Sequence, residues 1–68
     1  MNELTNRDLL VIKYIAQGFT NRQIGLAIGC KEDSVKKRVS EILYKLEASN
    51  RAHAVYKFYV GGAQWRLL

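Results

Sequence analysis

The stretch that most constrains this chain runs from Thr20 to Leu46, TNRQIGLAIGCKEDSVKKRVSEILYKL. It reads as two helices joined by a tight turn at Ile28-Gly29-Cys30-Lys31. At about 100° per residue, Val35, Val39, Ile42, Leu43 and Leu46 fall on one side of the second helix. Asp33, Lys37, Ser40, Glu41 and Tyr44 fall on the other side. Lys36 flanks that polar face on one edge, and Arg38 and Lys45 flank it on the other. One side can dock on a core while the other faces a polyanion. A helix-turn-helix asks this of its recognition helix, which lies in the major groove and offers its N-terminal half to base edges.

Length limits what else the chain can be. A domain of 68 residues buries only about 60% of its unfolded surface and is marginally stable. Cys30 is the single cysteine, so no internal disulfide forms. With His53 the single histidine, a Cys/His metal site has too few ligands. Self-association remains as the route to extra burial. The balance of 11 Lys+Arg against 6 Asp+Glu points to nucleic acid or an anionic surface. No apolar run approaches the roughly 20 residues of a membrane span, and the polar start MNELTNRD lacks the apolar core of a signal peptide. The expected compartment is the reduced cytoplasm. There is no proline and half the residues are apolar, which argues against a disordered tail. No Ser/His/Asp or Cys/His set, phosphate loop or ligand cluster is present, so neither an enzyme nor a cofactor is expected.

Residues 1–68 read as a single all-α domain with helices at about 6–17, 21–28, 32–46 and 51–60. Thr5 and Asp8 form a capping pair for the first. Val11, Ile12, Ile15 and Ala16 make its main stripe, with Leu9 at the edge and Leu10 and Tyr14 on a different side. Gly18 suits its end. Thr20 and Gln23 cap the second helix, to which Ile24, Leu26, Ala27 and Ile28 supply apolar contacts. Gly25 costs about 1 kcal/mol of propensity against alanine and fits a helix crossing close to the backbone. Glu32 and Asp33 place negative charge in the first turn of the third helix. Ser49-Asn50 caps the fourth, where Ala54, Val55, Phe58 and Tyr59 form the main apolar face. Ala52, Tyr56 and Val60 extend its apolar surface around the side, and Gly61-Gly62 ends it before the tail AQWRLL.

An ordered set of residues adds to this reading. Leu4-Thr5 and Arg7 lead into Ile15-Ala16-Gln17-Gly18, then Thr20-Asn21-Arg22-Gln23-Ile24. Ser34-Val35-Lys36, Val39-Ser40, Ile42-Leu43 and Lys45-Leu46 follow, and Ser49-Asn50-Arg51 with Ala54-Val55 closes the set. On these residues the chain resembles the LuxR/GerE-type helix-turn-helix family from Leu4 to Val55. Sigma-factor region 4 is similar through the two central helices but lacks the Lys-Leu, Asn-Arg and Ala-Val ending. The resemblance implies a DNA-binding transcription regulator that dimerises through its last helix and places its third helix in the major groove. Carried over by position, Lys36, Lys37 and Ser40 would face bases or nearby phosphates, while Asn21, Arg22 and Ser34 would hold the backbone. Most members also carry a sensor domain. This chain begins at a methionine without one, so a stand-alone module controlled by protein level or a partner is expected.

Four positions depart from the family pattern. Lys31 replaces the usual Ser/Thr cap of the recognition helix, a loss of about 1 kcal/mol. Glu41 stands where an uncharged residue is common, unfavourable near phosphates unless it reads a cytosine amine. Glu47 replaces a glycine, which lets the third helix run on by a residue or two. Leu10 replaces a glutamate and adds exposed apolar surface.

The basic run Lys36-Lys37-Arg38 would be a solvated face in isolation; in a helix-turn-helix it is assigned to DNA contact. Tyr44 either touches a phosphate or covers the helix surface. Cys30 reads as a small buried turn residue, and His53 as a surface residue or part of a dimer contact with Ala52, Tyr56 and Val60. Trp65 either packs on the domain or anchors a partner. The expectation is a homodimeric, sequence-specific DNA-binding regulator. The alternative is a small antagonist that binds another transcription regulator, LuxR-type or other, through Leu10, Tyr14, Tyr56 and Val60.

Overall fold

The computed structural model describes residues 4–60. It has four helices: α1 (Asn6–Ala16), α2 (Asn21–Ile28), α3 (Glu32–Leu46) and α4 (Arg51–Tyr59). No strand occurs among the described residues. α1 stops one residue before Gln17 and α4 one before Val60, both of which serve as C-caps. Gly61, Gly62 and Trp65 lie outside the described residues.

The helix starts follow from local chemistry. Thr5 Oγ1 accepts the Asp8 N–H (3.1 Å) while the Asp8 carboxylate accepts the Thr5 N–H (3.0 Å). Thr20 and Gln23 repeat the exchange at 3.1 and 2.8 Å. Each pair satisfies donors that a helix start otherwise leaves open. For α4 the cap is Asn50, whose Oδ1 accepts the His53 N–H at 2.8 Å. At Lys31 the backbone is extended as a cap requires, but no side chain caps α3.

The first three helices end alike. Gly18, Gly29 and Glu47 take the left-handed conformation at φ +87°, +76° and +55°. The next N–H in each case reaches five residues back: Phe19 to Tyr14 O, Cys30 to Gly25 O and Ala48 to Leu43 O, at 3.1, 2.9 and 2.9 Å. This closure satisfies terminal carbonyls. α3 therefore does not run on past Leu46, although Glu47 lacks glycine's freedom. The i−5 bond and the Lys57 ammonium, which donates to Glu47 O at 3.2 Å, hold the turn that sends the chain back into α4.

The core consists of Val11 and Ile12 from α1, Ile24 from α2, Val35, Val39, Ile42 and Leu46 from α3, and Ala54 and Phe58 from α4. α1 and α3 each pack on all three other helices. Four expected core positions lie outside it. Ala16, Ala27 and Tyr59 are exposed, and Leu26 is 79% exposed. α2 has only eight residues; it buries Ile24 and packs Ile28 against the core, while Leu26 and Ala27 fall on its solvent side. Gly25 is buried, but the reason is not a crossing helix: a Cβ there would lie 2.5 Å from the backbone oxygen of Cys30. The turn into α3 folds back onto its own helix.

Candidate nucleic-acid interface

α3 is built to show one side. With Val35, Val39, Ile42 and Leu46 buried, helical periodicity turns Ser34, Lys36, Lys37, Ser40, Glu41 and Tyr44 to solvent, and all six are exposed. Arg22, in the first turn of α2, is exposed as well. Asn21 differs from its expected role. It is half-buried, and its Oδ1 accepts a hydrogen bond from Arg51 Nη1. Arg51 Nη2 also donates to Phe19 O at 2.8 Å, so one guanidinium ties α4 to the start of α2. The Asn21 carbonyl is thus committed inside the domain, which leaves only its amide nitrogen for other partners.

The basic run does not act as a unit either. Arg38, on the edge of the outward face, turns back to α1, where its Nη1 lies 3.2 Å from Asp8 Oδ1. Lys45 Nζ, two turns on along the same edge, lies 2.7 Å from Asp8 Oδ2. Asp8 itself is 0% exposed. Burial pushes its carboxyl pKa up, but the bonds from Lys45, the Thr5 N–H and Arg38 outweigh that and hold it below the ordinary 3.8. Arg38 therefore leaves the group assigned to DNA contact. A signal for this was present in the sequence: Asp8 precedes Val11, Ile12 and Ile15 at the i+3, i+4 and i+7 spacing of one helix face. A carboxylate on an apolar stripe needs cations facing it. Arg51 carries the same signature ahead of Ala54, Val55 and Phe58.

A second surface lies on α4. Tyr56 is 58% and Val60 67% exposed, and Ala52 and Tyr59 are exposed too. At helical spacing these four share the side opposite Ala54 and Phe58. Tyr59 was expected in the core; it is exposed and meets the Phe58 ring in a T-shaped pair, at 5.0 Å between ring centroids and 87°. His53 borders this side and is half-buried rather than free, since its Nδ1 accepts the Ser49 N–H at 2.9 Å. Its ring centroid lies 6.5 Å from that of Tyr56. Elsewhere, Tyr14 belongs to the domain's own packing, 4.9 Å from the Phe19 ring, which leaves Leu10 as the exposed apolar residue of that pair. Cys30 is half-buried and accepts from Arg7 Nη1 at 3.5 Å. Among the described residues no cluster of three metal-ligating side chains occurs. No helix there is long and apolar enough to cross a membrane.

This arrangement of two helices around an αL turn, with an outward basic face, agrees with a family match. The profile of the bacterial regulatory proteins of the luxR family matches residues 2–58. The chain belongs to this family. It is a LuxR-type DNA-binding domain. It is 37% identical over 59 residues to the transcriptional regulatory protein DegU of Brevibacillus brevis. It is 38% identical over 53 residues to the transcriptional regulatory protein YdfI of Bacillus subtilis. It is 40% identical over 52 residues to the response regulator protein VraR of Staphylococcus aureus. These matches cover 87%, 78% and 76% of this chain and 25% of each relative. The LuxR-type domain thus spans about a quarter of the length of the relatives it matches.

Proposed function

We propose that this LuxR-type domain is a sequence-specific transcription regulator that works as a homodimer in the cytoplasm, with α3 in the major groove of its operator. The observation that carries the reading is the division of α3, whose one side is buried while Lys36, Lys37 and Ser40 stand exposed on the other. Lys37 and Ser40 lie near the centre of that side and read base edges. Lys36 and Ser34 lie toward its borders and meet phosphates or a flanking base step, while Tyr44 reaches a phosphate beyond. Arg22 and the amide nitrogen of Asn21 hold the backbone at the start of α2, where free N–H groups and a cation favour an anion. The exposed side of α4, Ala52, Tyr56 and Val60 bordered by His53 and joined by Tyr59, pairs about a twofold axis and sets the spacing of two half-sites.

Duplex binding across a salt series tests this. Binding to random DNA at low salt is expected, with log K falling steeply as log salt rises. Tighter binding is expected on sites that the protein selects from a random library. Absence of binding to either duplex would overturn the regulator reading and return the antagonist one.

A further inference from the structure

We infer that Asp8 determines the balance between specific and non-specific DNA binding, by holding two of the recognition helix's cations away from phosphate. This rests on the DNA-binding reading above. α3 carries four Lys/Arg residues: Lys36, Lys37, Arg38 and Lys45. Two are exposed on or beside the outward face. The other two converge from two turns of one edge onto the two oxygens of a single fully buried carboxylate.

An obvious competitor stands between them and is not used. Glu41 is exposed on the same edge, three residues after Arg38 and four before Lys45, the spacings at which helical ion pairs form. Both cations nonetheless turn toward α1. Their side chains are long enough to swing outward, and the edge they occupy borders the face assigned to the groove. With Asp8 neutral, each would be free to meet a phosphate. A cation on a phosphate adds affinity on every sequence, roughly 0.9 in the slope of log K against log salt. Sequestering two of them lowers the sequence-independent part of binding and leaves discrimination to Lys37 and Ser40. The same two contacts tie two turns of α3 to the start of α1.

The test uses the full chain, a duplex it has selected from a random library, and a scrambled duplex of equal length, each over a salt series. Arg38→Gln and Lys45→Gln are expected to keep the wild-type slope on both duplexes, whereas Lys37→Gln lowers its magnitude by about 0.9 per subunit. Asp8→Asn is expected to raise the slope magnitude by about 1 to 2 per subunit and to tighten scrambled DNA several-fold. The ratio of selected to scrambled affinity then falls. Adding Arg38→Gln to Asp8→Asn removes about half of the rise. Circular dichroism establishes that each variant is folded, and if Asp8→Asn is not, the Gln variants decide alone. A slope loss in Arg38→Gln or Lys45→Gln equal to that of Lys37→Gln overturns the inference while leaving the regulator reading intact. So does a folded Asp8→Asn with an unchanged slope. A wild-type chain that binds neither duplex removes the regulator reading itself, and the inference with it.

Discussion

Asp8 makes part of this domain's stability sensitive to acid. Because the folded-state pKa of Asp8 lies below the ordinary 3.8, its ion cluster stabilises the fold at pH values above that figure. The contribution is lost as pH falls through the folded value. Breaking a fully buried pair costs roughly 3–5 kcal/mol; here both cations keep some contact with water, so Asp8→Asn is expected to cost about 2 kcal/mol at pH 7. Urea unfolding at pH 7 and pH 3 checks this: the gap between wild type and variant should narrow markedly at pH 3. An equal gap at both pH values would show that the charge on Asp8 is not what stabilises. Exposed residues make a different prediction. Arg22→Ala should weaken binding about equally on all sequences and lower the salt slope by about one per subunit. Lys37→Ala should cost roughly 1–3 kcal/mol on the preferred site and less on random DNA. A folded Lys37→Ala protein with unchanged binding to both would take α3 out of the groove.

At the scale of elements, α3 is launched by an uncapped start and a turn with no room to spare. Lys31→Ser would give its first turn a hydroxyl acceptor and remove a cation from the positive end of the helix dipole. The backbone at Lys31 is already extended, as a cap requires. A gain of about 1 kcal/mol in chemical denaturation is expected; no gain would mean that water already serves those amides equally well. Gly25→Ala runs the other way. Alanine improves helix propensity by about 1 kcal/mol, but its Cβ would sit 2.5 Å from Cys30 O, an atom of the backbone. The turn must then shift, and a net loss of about 2 kcal/mol is expected from overpacking of this kind. Thermal melting distinguishes the two signs directly, and a stabilised variant would show that the turn yields freely.

The whole molecule poses the question of assembly. α4 buries Ala54 and Phe58 and shows Ala52, Tyr56, Tyr59 and Val60 to solvent on one side, and clustered exposed apolar residues are a feature of interaction surfaces. Two copies joined there would bind two half-sites at once, and such coupling is worth a hundredfold or more in apparent affinity. Tyr56→Glu is expected to sediment as a folded monomer and to bind its selected duplex about a hundredfold more weakly. A tight dimer in that variant would place the interface on another surface.

The sequence by itself determined the four-helix LuxR-type fold, because capping pairs, left-handed turn residues and helical stripes are local and act within a few residues. Thr5 with Asp8, Thr20 with Gln23, and Gly18 and Gly29 each announce a helix end without reference to the rest of the chain. The division of α3 was legible for the same reason, since four buried residues at helical spacing dictate what the opposite side shows. What only the tertiary structure decided is how charges and edges are shared between helices. Asp8 looked like half of a capping box until α3 brought Arg38 and Lys45 onto it from 30 and 37 residues away. Asn21 looked free until Arg51 arrived from α4. Leu26 looked like core until packing turned Ile24 and Ile28 inward and left Leu26 on the solvent side of α2. Periodicity states which face of a helix a residue occupies; which neighbour meets that face, and which long side chain reaches across, depends on packing that no local pattern encodes.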